Sequence, residues 1–486
     1  MTEAEPLTVD AQSAPPFAAL GPEFADSVAP AAFPQAVLRW RNDRWVEKVG
    51  LGGLDAAGFA AHFARFAPLP ANMPAPLALR YHGHQFGTYN PDIGDGRGFL
   101  FAQLRDDEGR LLDLATKGSG RTPWSRTGDG RLTLKGAVRE ILAPQMLEAQ
   151  GVYTSKPFAV FETGEALQRN DEPSPTRAAV LTRLGHSHVR IGMFQRHAYL
   201  DRRDLLRALV HHCAETYYPD LLALEGDAQV AGLLRHAIVA NAALCASWMA
   251  AGFVHGVLNT DNMNITGESF DYGPWRFLPT SDPNFTAAYF DEQGRYAFGR
   301  QPQATGWNLA QLASALAPIC DTPLLEDALK RFAPTYQSAL RDKTFARLGI
   351  AVGAMDDDIA FLADFFRWMT DTGAHWSQVF HDWFCADAAR AAASPLGALY
   401  GDADFAATRT GFGARAPVRP ERLGHAAFQR ATPATLLVDD VEDLWAPIAA
   451  EDDWSLFDAK IAEIDALRDG LALTPAWAWE LPASEV

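Results

Sequence analysis

The sequence predicts an α+β protein with two lobes, in which a small strand-rich N-terminal lobe precedes a large helical C-terminal lobe. Two observations predict this division. Between residues 70 and 164, glycines separate short strand-like runs. Beyond Asp201, apolar residues recur at intervals of three and four, which is the spacing of helices. The chain of 486 residues is long enough for each lobe to bury its own core.

The N-terminal elements can be assigned in order along the chain. Residues 1–19 are acidic and rich in Pro and Ala, so we expect a flexible leader over residues 1–30. The N-terminal lobe is expected over residues 31–170. Its predicted elements are strands at 99–104, 111–117 and 158–164, a helix at 137–149, and a closing loop at 169–176. Pro144 is expected to kink the helix or to start a new turn.

The C-terminal lobe is expected over residues 171–486. Gly252 should end its second helix just before a loop that begins at His255. The predicted helices of this lobe cover residues 203–218, 228–251, 307–317, 324–348 and 357–369.

Composition excludes several classes of function. The net charge of −18 argues against nucleic acid as the main partner, because binding to phosphates along a strand needs a basic face. The four cysteines are far apart, which favours neither a zinc cluster nor a disulfide framework and suggests a reducing cytoplasm. No run of about twenty uninterrupted apolar residues is present, so we expect no membrane role.

The loop after Gly252 carries the sharpest group of candidate functional residues. It reads His255-Gly-Val-Leu-Asn-Thr-Asp-Asn262, and Asp271-Tyr-Gly follows nine residues later. In protein kinases a His and an Asn have this spacing, and an Asp-Phe-Gly triplet supplies a carboxylate for Mg²⁺. Asn262 and Asp271 are therefore predicted metal ligands, since Mg²⁺ prefers oxygen ligands. The alternative is that they only form turns.

One part of the kinase pattern is missing from this loop. Val257 occupies the position of the catalytic Asp, and a valine cannot accept a proton. Asp261 is the remaining candidate base, because it adjoins a predicted metal ligand and its carboxylate can accept a proton from an attacking hydroxyl.

A glycine turn, a lysine and a helical glutamate precede this loop in the order found in kinases. Gly94-Asp-Gly96-Arg97-Gly98 lies directly before a predicted strand, and it is either a phosphate-binding turn or an ordinary β-turn. Lys117 ends the next strand, and Glu140 falls in the following helix, where a kinase pairs the two. Each residue alone is more simply explained as solvated. The ordered set predicts a protein-kinase-like two-lobed fold with nucleotide bound between the lobes.

Two further cationic segments have open assignments. The loop 121–130 contains Arg121, Arg126 and the turn Asp129-Gly130, and it either lines a phosphate pocket or is a solvated connector. Arg183 and Arg190 lie seven residues apart in an apolar stretch, where structural pairing with acids is more common than phosphate binding.

Taken in order from about residue 78 to 300, these motifs resemble those of the selenoprotein O (SelO/YdiU) family of pseudokinases. The blocks that carry the resemblance are Tyr81-His-Gly-His-Gln-Phe-Gly, Gly94-Asp-Gly-Arg, Lys117-Gly-Ser-Gly, Gly128-Asp-Gly-Arg, Ala137-Val-Arg-Glu, Ser187-His-Val-Arg-Ile-Gly, His255-Gly-Val-Leu-Asn-Thr-Asp-Asn-Met and Asp271-Tyr-Gly-Pro. The resemblance implies a kinase-like fold that binds ATP in a reversed orientation. It also implies transfer of AMP to Ser, Thr or Tyr hydroxyls of proteins.

The resemblance also implies a role for each candidate residue. Asp261 would be the proton acceptor, Asn262 and Asp271 the ligands of Mg²⁺ or Mn²⁺, and Glu140 the residue that orients Lys117. The implied nucleotide-binding residues, which include one of the metal ligands, are Gly94, Gly96, Arg97, Lys117, Asp129, Gly130, Arg183, Arg190 and Asp271. Arginines would then compensate the buried phosphates of a reversed nucleotide.

The function expected from the sequence is AMP transfer from ATP to proteins, with release of diphosphate and with UMP from UTP as a variant. An ordinary phosphotransferase and a non-catalytic nucleotide-binding scaffold are the alternatives. Two features depart from the family pattern. The chain ends at residues 479–486 without a cysteine or selenocysteine, so redox control by that tail is not expected. The second departure is Pro144, which lies in the predicted helix that also contains Glu140.

Overall fold

The computed structural model describes residues 16–473, which form a mixed structure of helices and an antiparallel sheet. The strands are β1 Ala25–Ser27, β2 Val37–Arg41, β3 Leu77–Leu79, β4 Gly83–Gln85, β5 Thr88–Asn90, β6 Leu100–Arg105, β7 Leu111–Lys117, β8 Leu132–Thr133, β9 Lys156–Leu167, β10 Thr176–Gly185, β11 Phe253–Val254 and β12 Arg276–Phe277. Eight of them form one sheet in the order β1-β3-β6-β7-β10-β9-β2, with β8 also paired to β10.

Helices provide most of the remaining regular structure. They are α1 Asp43–Lys48, α2 Ala56–Phe63, α3 Leu134–Ala149, α4 Ile191–Tyr199, α5 Arg203–Thr216, α6 Gly226–Ala251, α7 Gln301–Leu316, α8 Thr322–Leu329, α9 Phe332–Leu348, α10 Met355–Thr372, α11 Trp376–Asp382, α12 Ala388–Ala393, α13 Gly397–Gly401, α14 Ala406–Gly413, α15 Val438–Glu451 and α16 Ser455–Leu471. By length and composition α6 could cross a membrane, but 89% of its most apolar window is buried inside the protein, as in a core helix.

Alternation along the central strands gives the sheet two different faces. Leu112 and Leu114 of β7 join an apolar core with α1 and α2 on one face. On the other face Leu181 of β10 packs with α3, and this core continues to α16. Lys117 lies opposite Leu181 in the register, and it therefore shares the face that α3 covers.

The sheet extends beyond the limits that the sequence analysis gives to the N-terminal lobe. Strand β10 follows residue 170, yet it pairs with β7 and β9 at the centre of the sheet. At the other end, β1 lies within the predicted leader and pairs with β3. The local sequence of these two segments does not predict their place in the sheet, because long-range strand pairing sets it. Residues 1–15 of the predicted leader and the tail at 479–486 lie outside the described residues.

One helix prediction needs correction. The helix expected over 324–348 is two helices, α8 and α9, and Pro334 lies in the first turn of α9, where its missing N–H costs no helical hydrogen bond. At Pro144, where a kink or a new turn was expected, the chain stays in one helix. Helix α3 runs through it from Leu134 to Ala149, and packing along this largely buried helix offsets the hydrogen bond that proline removes.

Candidate active site

A cavity of about 670 Å³ opens where the sheet meets the segment after α6. Strands β7 and β10, the turn before β6 and the loop between β7 and β8 contribute to its wall. Of the predicted site residues, those that line it are Gly94, Gly96, Arg97, Lys117, Asp129, Gly130, Arg183, Arg190, Asp261 and Asp271. The structure thus gathers around one opening residues that are up to 177 positions apart, from Gly94 to Asp271.

Strand register places two cations of the site side by side. Arg183 of β10 lies opposite Ala115 of β7, and Lys117 is two residues further along β7. Side chains two apart on a strand point to the same face, so Lys117 and Arg183 both point toward α3. From α3, Glu140 accepts a hydrogen bond from Lys117 Nζ and lies 3.8 Å from Arg183 Nη1. The predicted pairing of Lys117 with Glu140 is present.

Asp271 meets the same two cations from the opposite side. Its Oδ1 accepts a hydrogen bond from Lys117 Nζ at 3.0 Å and lies 3.6 Å from Arg183 Nη1. Burial by itself raises the pKa of Asp271, but Lys117, Arg183, Arg190 and Arg97 together hold that pKa well below its usual range. Asp271 also has a φ of +64°, an uncommon conformation for a residue other than glycine. It is therefore a carboxylate held ionised in a defined position.

The oxygen donors beside Asp271 suit a hard divalent cation. Asn262 Nδ2 donates to Asp271 Oδ2 at 3.2 Å, so the amide and the carboxylate lie side by side. An amide oxygen and a carboxylate, completed by phosphate oxygens and water, are the ligands that Mg²⁺ and Mn²⁺ take. The donor chemistry of this pair fits the predicted metal.

Asp261 is a buried carboxylate with an oxygen that lacks a partner. The residue is 8% exposed, and among the described residues none forms a hydrogen bond with its Oδ1. Burial raises its pKa to about 6, although Arg190 acts in the opposite direction. A carboxylate with a raised pKa is a better proton acceptor than a solvated one. The chemistry of a general base is available here.

Arg190 is a buried cation fixed from several sides. Its Nη1 donates to Tyr81 Oη at 2.8 Å and its Nη2 lies 3.2 Å from Asp95 Oδ1. The guanidinium also stacks on Tyr81 and Phe270, at 4.5 and 5.1 Å from the ring centres. Arg183 stacks on Phe270 too, at 5.6 Å. Both arginines are thus paired with acids, which is the structural role that the sequence analysis set against phosphate binding. Both arginines also line the cavity.

Cations outnumber acids in the lining. The seven cations are Arg97, Lys117, Arg126, Arg131, Arg169, Arg183 and Arg190, and the four acids are Asp95, Asp129, Asp261 and Asp271. Arg183 Nε and Nη1 and Arg190 Nε are buried without a hydrogen-bond acceptor among residues 16–473. Buried donors of this kind are costly unless a ligand satisfies them, and a polyphosphate supplies the acceptors and the charge that this wall needs.

Comparison with known proteins identifies similar proteins that are named adenylyltransferases and nucleotidyltransferases. The family model described as "Protein adenylyltransferase SelO" matches residues 8–465. A relative named protein nucleotidyltransferase YdiU, from Synechococcus elongatus, is 48% identical over 352 residues, which are 71% of this chain and 70% of the relative. The YdiU of Trichormus variabilis is 40% identical over 459 residues, 91% of this chain and 93% of the relative. That of Vibrio cholerae is 37% identical over 373 residues, 76% and 74% of the two chains.

The chain belongs to the SelO family. The resemblance identified in the motifs is confirmed, and with it the expectation that the chain is an enzyme of the adenylyltransferase class.

In this SelO family member, His255 holds the backbone that leads to Asp271. Its ring Nε2 forms a hydrogen bond with the carbonyl oxygen of Phe270 at 3.0 Å, and its backbone N–H donates to Gln301 Oε1. The ring thus fixes the residue that precedes Asp271. Val257 does not line the cavity, whereas Asp261 does. The position that holds the catalytic Asp in kinases therefore lies away from the cavity in this protein.

The glycine turn packs tightly against its neighbours. A Cβ at Gly98 would lie 2.0 Å from the carbonyl oxygen of Thr116, and one at Gly94 would lie 2.5 Å from the Trp124 ring. Gly130 has a φ of +72°, and a Cβ there would lie 2.3 Å from Gly120. These glycines allow the turn and the loop 121–130 to approach strand β7, which brings both segments to the cavity wall.

Several lining residues were missed or left open by sequence reasoning. Residues 124–130 of the loop 121–130 line the cavity, and the lining includes Arg126 in this loop and Arg131 directly after it. Arg169 comes from the predicted closing loop and pairs with Asp129 at 2.8 Å. His188 lies 3.0 Å from Asp113, which is on the same face of β7 as Lys117. One signal was available for Arg131: the tetrapeptide Gly-Asp-Gly-Arg occurs at 94–97 and again at 128–131, and both copies line the cavity.

Proposed function

We propose that this protein transfers AMP from ATP to hydroxyl groups of proteins and releases diphosphate. The observation that carries the proposal is the cavity itself. It places the free oxygen of Asp261 in one wall with a metal-type carboxylate, Asp271, and with the unsatisfied guanidinium donors of Arg183 and Arg190. The names of the relatives, protein nucleotidyltransferases, support transfer to a protein.

The proposal includes a kinase-like, two-lobed fold, so that the protein is a pseudokinase. An antiparallel sheet carries Lys117, a helix on its face carries Glu140, and a later loop carries Asn262 and Asp271. That is the order of parts in a kinase. A cytoplasmic location belongs to the proposal as well, on the ground of the four cysteines, each of which is buried and free.

The residues divide the chemistry among them. Asp261 accepts the proton of the acceptor's Ser, Thr or Tyr hydroxyl as its oxygen attacks the α-phosphorus of ATP. The bond between that phosphorus and the oxygen bridging to the β-phosphate breaks, and diphosphate leaves with the electron pair. Arg183, Arg190 and Lys117 stabilise the charge that develops on the phosphates. This assignment implies a nucleotide whose α-phosphate faces Asp261, the reversed orientation.

Asn262 and Asp271 would hold Mg²⁺ or Mn²⁺. A divalent ion at this pair supplies charge neutralisation for the phosphates. Asn262 presents its amide beside Asp271, and Lys117 holds Asp271 ionised for that purpose. Transfer of UMP from UTP is the variant reaction, since the phosphate-facing residues do not depend on the base.

Two labels on ATP test the proposal. With α-labelled ATP, Mg²⁺ or Mn²⁺ and a protein mixture, label should appear on protein, and Asp261→Asn and Asp271→Asn should abolish it. These substitutions keep side-chain size, so thermal unfolding should confirm that the variants fold. Transfer from γ-labelled ATP in place of the α label would instead show a phosphotransferase. ATP binding without transfer of either label would show a scaffold.

A further inference from the structure

Three exposed aromatic side chains form a surface beside the proposed active site. Phe86, Tyr289 and Phe290 are 37%, 88% and 48% exposed. Their rings pack edge to face, with centres 5.7 Å apart for Phe86 and Phe290 and 5.2 Å apart for Tyr289 and Phe290. We call these three residues the aromatic ledge. Exposed aromatic residues in contact with one another are typical of interaction surfaces.

The ledge is tied to the turn that carries Asp261. The backbone N–H of Phe86 donates to Asn259 Oδ1 at 3.0 Å, and that oxygen also accepts a hydrogen bond from Tyr296 Oη at 2.8 Å. Two residues earlier, the N–H of His84 donates to Thr260 Oγ1 at 2.7 Å. The hairpin β4–β5 is therefore held against the residues that immediately precede Asp261. Gln85, the neighbour of Phe86, lines the cavity itself.

Phe86 lies in the two-residue turn between β4 and β5, where the turn itself needs a positive φ that a glycine or asparagine adopts more easily. Its φ is +51°, which is strained for a bulky residue and costs on the order of 1–2 kcal/mol relative to a usual conformation. Its ring is also partly exposed, so it gains less from burial than a core phenylalanine. Two unfavourable features at one position beside a cavity suggest a role in binding.

A cation without an acidic partner lies next to the ledge. The Arg295 guanidinium lies close against Gly87, where a Cβ would be 3.0 Å from Nη1, and it stacks on Trp307 at 5.1 Å. Among residues 16–473 no Asp or Glu side chain forms an ion pair with Arg295. A ligand on the ledge would therefore meet both an apolar surface and an unpaired positive charge.

We propose that the aromatic ledge binds the acceptor protein as an extended segment, with an apolar side chain on the ledge and an acidic side chain toward Arg295. This inference rests on the proposed function, because the segment's hydroxyl must reach Asp261. Asn259, whose side chain accepts the hydrogen bond from Phe86, is two residues from Asp261. The Cα atoms of Asn259 and Asp261 are therefore at most about 7 Å apart. An extended chain advances about 3.3 Å per residue. The apolar residue should lie about two to four positions from the modified hydroxyl.

Synthetic acceptor peptides with one Ser, Thr or Tyr provide the test. Leu or Phe is placed at each position from two to four residues on either side of the hydroxyl, with Ala peptides for comparison, and α-labelled ATP reports transfer. Wild-type protein should prefer the apolar peptide at one of these positions by about tenfold in kcat/KM. The double variant Tyr289→Ser/Phe290→Ser should lose that preference through a higher peptide KM. Arg295→Gln should remove a preference for Glu placed further along the peptide.

A matched control separates this role from a general effect on the surface. Leu222 is 47% exposed and is not part of the cavity lining, so Leu222→Ser removes an exposed apolar side chain elsewhere. It should leave the peptide preference unchanged. In the ledge variant the KM for ATP and the thermal unfolding midpoint should also stay at the wild-type values.

The possible outcomes are distinct. Equal peptide KM values for wild type and the ledge variant would overturn the inference while leaving AMP transfer intact. A change in sedimentation of the ledge variant with an unchanged peptide KM would also overturn it, because a second copy of the chain would then be the occupant. No α-label transfer by the wild type to any acceptor would instead refute the proposed function.

Discussion

Two glutamates on the same helix differ in role: one belongs to the candidate active site, and the other belongs to a structural network of ion pairs. Glu140 and Glu148 lie about two turns apart on α3, and both are buried and paired with cations. Glu140 contacts Lys117 and Arg183, which face the cavity. Glu148 contacts three cations that do not line it, namely Arg44, Lys156 and Arg468.

The difference lies in whether the paired cations face an opening. Around Glu148, burial raises the pKa, but the three cations outweigh burial and lower it to about 2. This network connects α1, β9 and α16 to α3. Glu140 instead supports two cations of the cavity wall, where the lining cations outnumber the lining acids and guanidinium nitrogens of Arg183 and Arg190 are left without acceptors. A buried charge by itself therefore does not mark a functional site in this protein. An excess of charge that faces an opening does.

The largest expected effect concerns the open cluster. Asp271→Ala removes the carboxylate that completes it, and AMP transfer should fall by about 10³-fold or more. The same change leaves Lys117 and Arg183 without this acid, so ATP should bind at least as tightly in the presence of a chelator. Label transfer and calorimetric titration measure the two quantities. Transfer at the wild-type rate would contradict the assignment of Asp271.

Glu148→Gln should instead destabilise the protein at neutral pH by about 3 kcal/mol, because it leaves buried cations without their partner. The folded-state pKa of Glu148 is lowered from 4.5 to about 2, so its contribution is present above pH 4.5 and is lost as pH falls toward 2. Denaturant unfolding at several pH values measures this. The gap between wild type and variant should narrow on acidification, and transfer per folded molecule should be retained.

Glu140→Gln is the matched change at the open end of α3. Lys117 would keep Asp271 as a partner, so we expect little loss of stability. Lys117 would no longer be held from the side of the helix, and transfer should fall by about 10- to 100-fold. Steady-state kinetics and thermal unfolding of the two glutamine variants, measured side by side, sharpen the comparison. A greater loss of stability for Glu140→Gln than for Glu148→Gln would reverse it.

Val257→Asp should have the smallest effect. It restores the kinase residue in sequence, but this position does not face the cavity. We expect transfer from α-labelled ATP to change by less than about threefold and no transfer from γ-labelled ATP to appear. Gain of γ-phosphate transfer would show that the position of the base, and not the orientation of the nucleotide, distinguishes this enzyme from a kinase.

Sequence reasoning was most successful where chemistry depends on short motifs in a fixed order. The ten residues predicted to bind the nucleotide or accept the proton all line the cavity, and Asn262 and Glu140 contact the lining residues Asp271 and Lys117. Strand β7 was predicted with its observed limits, and Gly252 ends α6 as expected. Spacing along the chain carries this information, because turns, caps and alternation are local properties.

Partners that arrive from distant segments were not predictable. Arg169 pairs with Asp129 across forty positions, and His188 reaches Asp113 across seventy-five. The central place of β10 and the pairing of β1 have the same origin. In each case the sequence contains many segments or side chains that could serve as the partner. Only the folded structure shows which one is close enough to pair.

The sequence by itself determined the family, the order of the motifs and which residues are candidates to bind phosphate, metal and a proton. The tertiary structure alone decided which charges are free to do so. Glu140 and Glu148 are alike in type, helix and burial, and the sequence singled out Glu140 only through the order of its motifs. Their roles differ because β7 and β10 bring Lys117 and Arg183 to an open wall, whereas α1, β9 and α16 enclose Glu148 on every side.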